Sequence, residues 1–379
     1  MSINMLFVDD EQDILDALEN RFHAIRHFWH VRFANSAATA LSMLSEEPAD
    51  VVVSDMRMPD MDGAQLMAHI KHLWPATIRI MLSGETGNDH LLQATADAHQ
   101  VLAKPCDVDL LKEKVGQAIR LRNCLSRPEV VQAVSRLGSL PALPELSQRL
   151  HALCVSGKAS FEGISALIEQ DPAMTARIMQ LANAANIDGM APVQHVREAV
   201  IRLGLDLVSS LIITESLFLQ VTPGSEIHQA ISECQAATLR MARLASELAD
   251  PPELKQTVFA VAMLRSVGDL ALCLISKDDP IPIPPAVLSG YLLSLWGFPL
   301  DQVAAVTFSH APMMGNPGPD DPATVVHVAN ALQLHLERKT GGNVQEVVDP
   351  DWLAQCPGSE QTLKYWLRVA KAFNEERPA

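Results

Sequence analysis

The sequence predicts an α/β domain with a parallel sheet at the N-terminus and an all-α region after it. Short, largely apolar runs at residues 5–8, 51–54, 78–82 and 100–103 have the length and composition of buried parallel strands. Beyond Pro105 the alternation of strand and helix signals stops, and apolar stripes at helical spacing continue along the chain. The 379 residues are 48% hydrophobic, so two or three domains can each bury a core.

Polar residues follow these apolar runs where each predicted strand ends. They are Asp9 and Asp10 after the first run, Asp55 after the second, Ser83 after the third and Lys104 after the fourth. Ligands of open α/β sheets bind outside the carboxyl ends of the strands, so these side chains are expected to share one edge. Three converging carboxylates repel one another, and a hard divalent cation that prefers oxygen ligands relieves that repulsion. The sequence therefore predicts a magnesium site at this edge.

The same edge favours phosphoryl chemistry. Asp55 is the candidate nucleophile because it follows the central strand and leads a tight loop over residues 56–63, whose backbone can complete the metal shell. Asp9 and Asp10 would hold the metal. Phosphoryl transfer depends on positioning and on neutralising the phosphoryl oxygens, for which Lys104 supplies a cation and Ser83 a hydroxyl donor.

These motifs resemble the receiver domains of two-component response regulators. The matching pieces are residues 8–11, 55–63, 82–84 and 102–105, in family order and spacing. The resemblance implies a flavodoxin-like, doubly wound five-stranded parallel sheet and a histidine kinase that phosphorylates Asp55. It further implies Mg²⁺ held by Asp9, Asp10, Asp55 and the backbone carbonyl of Arg57, phosphoryl sensing by Ser83 and Lys104, and a cis bond between Lys104 and Pro105.

Three positions of this receiver-like region are expected to modulate the switch. Val101 stands where many receiver domains have a Tyr or Phe, so signalling by an aromatic side chain that swings inward is in doubt. Arg57 and Glu85 stand at positions that in this family flank the attacking water. We hypothesise that they form an ion pair that screens the phosphoryl group; two solvated surface charges are the equally weighted alternative.

The helical region resembles the HDOD domain family, relatives of the HD metal-dependent phosphohydrolases. The matching pieces are residues 140–144, 168–175, 181–183, 199–204 and 296–299, the last leading to His310. Within them, Asp171 is expected to cap a helix that starts at Pro172. We predict a receiver domain at 1–123, a helical linker at 124–139, an HDOD domain at 140–340 and a C-terminal helical extension at 341–379.

The metal site of HD enzymes is expected to be degenerate in this chain. Alignment with the HD family puts Ala237 at a histidine position, and Arg265 and Ser266 at the His-Asp pair. Arginine carries no acceptor and repels a cation, whereas HD enzymes need His and Asp ligands to hold a metal that activates water. We therefore expect no enzyme activity and no cofactor in the HDOD domain.

Two classes of function remain open for the helical domain. In the first, phosphorylation of Asp55 shifts the receiver between two conformations, and the HDOD domain binds or releases another signalling protein, with cyclic-di-nucleotide pathways as one setting. In the second, the HDOD domain binds a cyclic dinucleotide or another phosphate ligand through Arg265, or retains a cryptic metal-dependent phosphohydrolase activity. The first, non-catalytic reading is favoured.

Charge and composition limit the partners and the location. A net charge of −16 argues against a nucleic-acid partner, because nucleic-acid affinity rests on clustered Lys and Arg. Six widely spaced cysteines without a CxxC pair fit a reducing cytosol. The longest apolar stretch, residues 258–275, is interrupted by Arg265 and Asp269, so we expect no membrane insertion and a cytoplasmic location. Homo-oligomer formation stays open.

The histidines offer weaker metal hypotheses. His23, His27 and His30 have a spacing that would face a zinc ion from one helix, but no carboxylate or thiolate completes the set, and surface positions are favoured. His310, His327 and His335 show no partner at ligand spacing, so core or surface roles are favoured for them as well.

Overall fold

The computed structural model describes residues 3–23, 29–84, 97–104, 108–125, 131, 134, 140–142, 144–184, 191–213, 221–275, 283–315, 317–337 and 344–375. The chain divides into two compact units. The first comprises Met1–Gly138, Gln180–Pro192 and Ser294–Phe298, and the second comprises Ser139–Met179, Val193–Leu293 and Pro299–Ala379. The first contains the β-sheet, whereas the regular elements of the second are helices.

The N-terminal part contains five parallel strands in the order β2-β1-β3-β4-β5. Their bounds are Ile3–Val8 (β1), Trp29–Ala34 (β2), Val51–Asp55 (β3), Ile78–Ser83 (β4) and Gln100–Ala103 (β5). Four helices are described here: Gln12–Phe22 (α1), Ala37–Glu46 (α2), Gly63–Leu73 (α3) and Val108–Cys124 (α4). The predicted doubly wound parallel sheet is confirmed, and β3 is its central strand.

The inner strands of this sheet have continuous apolar sequences because both of their faces are covered. All five residues of β3 are buried, and so are the first five of β4. On α3, Leu66, Met67 and Ile70 are fully buried and lie on one helical face. Helix and sheet therefore share one core, and the strand ends that carry polar residues are held in fixed register.

His23 and His30 do not lie on one helix, so the three histidines cannot bind a metal from a single helical face. Helix α1 ends at Phe22, and His23 is its C-cap. Trp29–Ala34 instead pairs in parallel with β1, since sheet pairing outweighs the weak helical pattern of this segment. His30 lies on that strand with its Nδ1 3.2 Å from Asn4 Oδ1, and His27 lies outside the described residues.

Beyond the sheet every described regular element is helical, as predicted. The helices are Pro144–Val155 (α5), Phe161–Ile168 (α6), Pro172–Ala184 (α7), Val196–Leu203 (α8), Leu205–Ile213 (α9), Glu226–Leu248 (α10), Leu254–Arg265 (α11), Val267–Ile275 (α12), Pro285–Leu295 (α13), Leu300–Phe308 (α14), Pro322–Glu337 (α15), Pro350–Gln355 (α16) and Ser359–Glu375 (α17). Short 3₁₀ turns lie at Pro312–Met314 and Val344–Glu346.

The last two helices pack against the other helices of the second unit. The rings of Trp352 on α16 and Trp366 on α17 stack with centroids 6.3 Å apart. Trp366 Nε1 donates to the carbonyl of Leu248 at 3.1 Å, and Trp352 Nε1 donates to that of Pro317 at 2.8 Å. Both indoles are buried and partnered, so α16 and α17 extend the core of the helical unit.

One segment in the described part of the chain is long and apolar enough to cross a membrane by length and composition. It is Leu254–Ile275, which spans α11 and α12 and has a mean hydropathy of 2.0 over its most apolar window. In the structure 61% of that window is buried inside the protein. Such burial is typical of a core helix, and one segment of this kind is weak evidence for a span.

Candidate functional site

The sheet brings the polar residues at the ends of β1, β3, β4 and β5 to one edge. The registers pair Val8 with Ser54, Asp55 with Leu82, and Ser83 with Ala103, so the strand ends lie level with one another. Lys104 directly follows β5, and its backbone N–H donates to the carbonyl of Ser83 at 2.9 Å. This arrangement places side chains that are 95 residues apart in sequence in a single site.

Three carboxylates form the centre of this site. One oxygen each from Asp9, Asp10 and Asp55 lies within 4.8 Å of the others. Asp9 and Asp55 are buried and Asp10 is exposed. Backbone N–H groups fix the two buried carboxylates, with Glu11 donating to Asp9 Oδ1 at 3.0 Å and Arg57 donating to Asp55 Oδ2 at 3.3 Å. A compact set of oxygen donors, one of them open to solvent, fits Mg²⁺.

Lys104 neutralises part of this charge. Its Nζ lies 2.8 Å from Asp9 Oδ2 and 2.7 Å from Asp55 Oδ1. Burial lowers the pKa of Lys104, but hydrogen bonds and charge attraction from Asp55 and Asp9 outweigh it, and the net effect raises the pKa. The lysine therefore stays charged and bridges the candidate nucleophile and a candidate metal ligand.

Gly63 shapes the loop that follows Asp55, and the sequence did not reveal why. Its N–H donates to the carbonyl of Met56 at 2.9 Å, and a Cβ at this position would lie 2.1 Å from the carbonyl oxygen of Asp55. Only glycine allows so close an approach. Asp62 then caps α3 in a capping box with Gln65, so the loop passes directly into a helix. The carbonyl of Asp55 thus packs against the start of α3.

The candidate modulatory positions are only partly described. Val101 is buried on β5 and belongs to a core cluster with Val52 and Met81. Glu85 and Pro105 lie outside the described residues, and with them the predicted ion pair to Arg57 and the predicted cis bond.

Ala237, Arg265 and Ser266, which are predicted to align with the metal ligands of HD enzymes, lie on α10 and at the junction of α11 and α12. Arg265 is largely buried, with one terminal nitrogen 3.8 Å from Asp269 Oδ2, and its Nε has no hydrogen-bond partner among the described residues. Burial lowers the pKa of Arg265, although the charge of Asp269 opposes that shift. Burial likewise raises the pKa of the Cys234 thiol to about 12, which keeps this sulfur protonated.

The nearby histidines are bound to backbone groups. His327 lies between the carbonyl of Ser309, 3.1 Å from its Nδ1, and the N–H of Asp349, 2.9 Å from its Nε2. His310 Nδ1 lies 2.6 Å from the carbonyl of Thr307. Within the described residues, the only set of His, Cys, Asp and Glu ligand atoms close enough to hold a metal is the one at the sheet edge.

Comparison with protein families gives two matches, which cover separate parts of the chain. The model of the response regulator receiver domain matches residues 5–116, and the model of the HDOD domain matches residues 140–284. The chain is a response regulator with a receiver domain and an HDOD domain. It is similar to the response regulator protein PilR of Pseudomonas aeruginosa, with 34% identity over 155 residues, 40% of this chain and 34% of PilR.

Two further proteins are similar to part of this chain. The DNA-binding transcriptional regulator NtrC of Proteus hauseri is 31% identical over 171 residues, 44% of this chain and 34% of NtrC. The match therefore spans about a third of the length of PilR and NtrC. Among solved structures, the MmoQ response regulator of Methylococcus capsulatus aligns with 57% of this chain and 97% of its own, at 23% identity and a TM-score of 0.46.

The structure confirms the capping role of Asp171 in the HDOD domain. Its Oδ1 accepts from the N–H groups of Ala173 at 2.7 Å and Met174 at 3.0 Å, in the first turn of α7. Asp171 is fully buried, and its Oδ2 accepts from Gln235 Nε2 at 2.7 Å. The cap therefore also ties α7 to α10.

Proposed function

We propose that a histidine kinase phosphorylates Asp55 and that the phosphorylated receiver controls a non-catalytic, protein-binding output in the HDOD domain. The observation that carries this proposal is the position of Lys104 Nζ, within hydrogen-bond distance of both Asp55 and Asp9. The partners would be a cytoplasmic kinase and a downstream signalling protein, with cyclic-di-nucleotide pathways as one setting.

The reaction is the transfer of a phosphoryl group from a phosphohistidine of the kinase to the carboxylate of Asp55. A carboxylate oxygen of Asp55 forms a bond to phosphorus, the P–N bond of the kinase phosphohistidine breaks, and the electron pair returns to the imidazole nitrogen. Mg²⁺ held by Asp9, Asp10, Asp55 and the carbonyl of Arg57 would neutralise charge on the phosphoryl oxygens. The backbone N–H of Arg57, now on Asp55 Oδ2, orients the carboxylate for attack.

Lys104 and Ser83 would convert this modification into a conformational signal. Formation of the acyl phosphate removes the negative charge of Asp55 and adds a dianionic group beside it, so Lys104 would exchange a carboxylate partner for a phosphoryl oxygen. Ser83 shares a backbone hydrogen bond with Lys104 and donates its hydroxyl to the same group. Because Val101 is buried and has no ring to swing, these two residues would carry the signal.

Transfer of labelled phosphate from acetyl phosphate, with and without chelator, tests the acceptor. We expect wild type and Asp60→Asn to be labelled in Mg²⁺, and expect no label on Asp55→Asn or after chelation. Asp60 is the matched control because it is exposed in the same loop and has a φ of 65°, which Asn tolerates. Equal labelling of Asp55→Asn would exclude Asp55 as the acceptor.

The second candidate, a phosphate-bearing ligand at Arg265, is favoured by one specific observation. The Nε of this buried arginine has no partner among the described residues, and its ion pair with Asp269 is long at 3.8 Å. Titration of the full chain with a cyclic dinucleotide, beside Arg265→Gln, separates the two readings. Micromolar binding that the variant loses would favour ligand binding, and phosphohydrolase turnover with bound metal would overturn a non-catalytic output.

A further inference from the structure

The HDOD domain contains a cavity that none of the preceding functions uses. It has a volume of about 390 Å³, within the range of sites that bury small ligands or single side chains. It lies among α11, α14, the first turn of α15 and the segment before α8. Its lining residues are Gln194, Thr257, Val261, Asp301, Gln302, Ala304, Ala305, Phe308, Gly315, Asp321, Pro322 and Ala323.

Gln302 leaves a buried acceptor at this cavity. The residue is 5% exposed, and its Nε2 donates to the carbonyl of Gln194 at 3.2 Å. Because the partner is a carbonyl oxygen, the amide nitrogen must face it, and this fixes the orientation of the side chain. Its Oε1 then has no partner among the described residues. A buried amide oxygen without a donor is unfavourable, so a donor is expected to reach it in the functional state.

Two carboxylates line the same cavity. Asp301 Oδ2 accepts from Gln194 Nε2 at 3.2 Å, and Asp301 Oδ1 accepts from the N–H of Gln302 at 2.9 Å. Asp321 caps α15 through Oδ1, which accepts from Ala323 at 2.9 Å and Thr324 at 3.3 Å. Burial raises the pKa of the Asp321 carboxyl, although these two backbone hydrogen bonds oppose that shift. Both groups present acceptor atoms to a partly desolvated space.

The lining carries acceptors and negative charge but no cation. Among the described residues that form it, none is Lys, Arg or His. The remaining wall is apolar, with Val261, Pro322 and the ring of Phe308. Gly315 packs so closely against that ring that a Cβ at position 315 would lie 3.0 Å from it. The site thus joins an aromatic ring, an unpartnered amide oxygen and two carboxylates.

We infer that this cavity receives an arginine side chain from the downstream partner protein. A guanidinium group offers five donors in a plane, stacks on aromatic faces, and pairs with carboxylates. An ammonium group provides fewer directed donors and does not stack in this way. The inference rests on the proposed protein-binding output of the HDOD domain and names the chemistry that this output recognises.

Peptide-like probes test the inference on the full chain. The probes are N-acetyl-arginine amide, the neutral but equally shaped N-acetyl-citrulline amide, and N-acetyl-lysine amide. Their binding is measured by changes in the backbone amide NMR shifts of the protein. We expect saturable shifts on α14 and the start of α15 with the arginine probe, and about tenfold weaker binding of the other two. Equal binding of citrulline would overturn the charge recognition, and equal or tighter binding of lysine would overturn the choice of guanidinium.

Charge variants locate the binding. The double variant Asp301→Asn, Asp321→Asn is expected to bind the arginine probe about tenfold more weakly than wild type. Helix α15 keeps its cap in this variant, because Asn caps a helix as well as Asp does. Asp206→Asn is the matched control, since Asp206 is exposed on α9 and does not line the cavity. Unchanged binding by the double variant would overturn the inference. The probes need no phosphorylation, so labelling of Asp55 with no probe binding would fail this inference alone.

Discussion

We expect Lys104 to compete with a divalent cation for the carboxylates at the sheet edge. Its Nζ is bound to both Asp9 and Asp55, two of the three residues expected to hold Mg²⁺. Lys104→Met removes this positive charge and leaves the oxygens free, so we expect Mg²⁺ to bind roughly tenfold more tightly, as two like charges a few ångströms apart repel strongly. Isothermal titration with MgCl₂ measures the change.

The matched control for this prediction is Lys112→Met. Lys112 carries the same charge in the receiver domain but pairs with Asp109 at 3.0 Å. Its loss should leave Mg²⁺ affinity within about twofold, as expected for an exposed pair. Weaker or unchanged Mg²⁺ binding by Lys104→Met would show that the lysine does not compete at this site.

His327 should make the second, helical unit sensitive to acid. Burial lowers its pKa, and the charge of Arg265 adds to this shift, although the hydrogen bond to the Ser309 carbonyl and the charge of Asp349 oppose it. The unfolded chain therefore binds the proton more readily than the folded chain. The contribution of the neutral histidine to the free energy of unfolding is fully present above the unfolded pKa of about 6.5 and is lost as the pH falls below it.

Denaturant unfolding at pH 7.5, 6.5 and 5.5 measures this loss. The slope from one such histidine is at most about 1.4 kcal/mol per pH unit. His327→Gln keeps a donor and an acceptor but cannot titrate, so its stability should fall less between pH 6.5 and 5.5 than that of wild type. His195, whose pKa is also lowered by burial, is present in both proteins and cancels in the comparison. Identical slopes would contradict the role of His327.

At the level of elements, the turn from β3 into α3 depends on Gly63. A methyl group at this position would overlap the carbonyl oxygen of Asp55 at 2.1 Å, so the loop or the strand end must shift. We expect Gly63→Ala to lower the free energy of unfolding by roughly 2 kcal/mol and to slow phosphorylation of Asp55. Gly116→Ala is the control, because Gly116 lies inside α4, where a methyl group meets only the flexible end of Arg120.

For that control, alanine should leave the phosphorylation rate unchanged and slightly raise stability, as it does in helix interiors. Denaturant titration and labelling with acetyl phosphate provide the two measurements. A Gly63→Ala protein that is labelled as fast as wild type would show that the close approach of α3 does not position Asp55.

The strands differ in how well sequence predicted them. The inner strands β1, β3 and β4 are covered on both faces, so their sequences are continuous apolar runs. Strand β2 lies at the edge of the sheet and includes His30 and Arg32. Because polar and apolar residues are mixed in it, the sequence did not predict this strand. The guanidinium of Arg32 donates to the carbonyls of Met43 and Glu47, contacts that only the folded chain provides.

The candidate site shows the same division between local and tertiary information. Strand ends and residue types predicted that Asp9, Asp55 and Lys104 lie at one sheet edge, because parallel strands place their ends together. The contact between Gly63 and the Asp55 carbonyl, and the unpartnered oxygen of Gln302, depend on packing between separate elements. No spacing in the sequence signals either one.

At the scale of the whole molecule, we expect a signal from Asp55 to leave the receiver domain through the chain after α4. The last turn of this helix is tied back to the sheet, with Arg122 2.5 Å from Asp50 Oδ1, while Asp50 Oδ2 accepts from the N–H of Asn4 at 2.9 Å. Leu111, Val115 and Ala118 of α4 are fully buried. A rearrangement of the receiver core can therefore reach residues 120–125 through side chains already in contact.

We expect a beryllofluoride phosphate mimic with Mg²⁺ to change amide hydrogen exchange at residues 120–125 by several-fold, because α4 and its Asp50 anchor respond to the state of the core. Asp50→Asn weakens that anchor and should raise exchange there before the mimic is added, whereas Asp55→Asn should remove the response to the mimic. Exchange mass spectrometry on the full chain measures all three proteins. Unchanged protection of this segment in wild type would place the route of the signal elsewhere in the receiver domain.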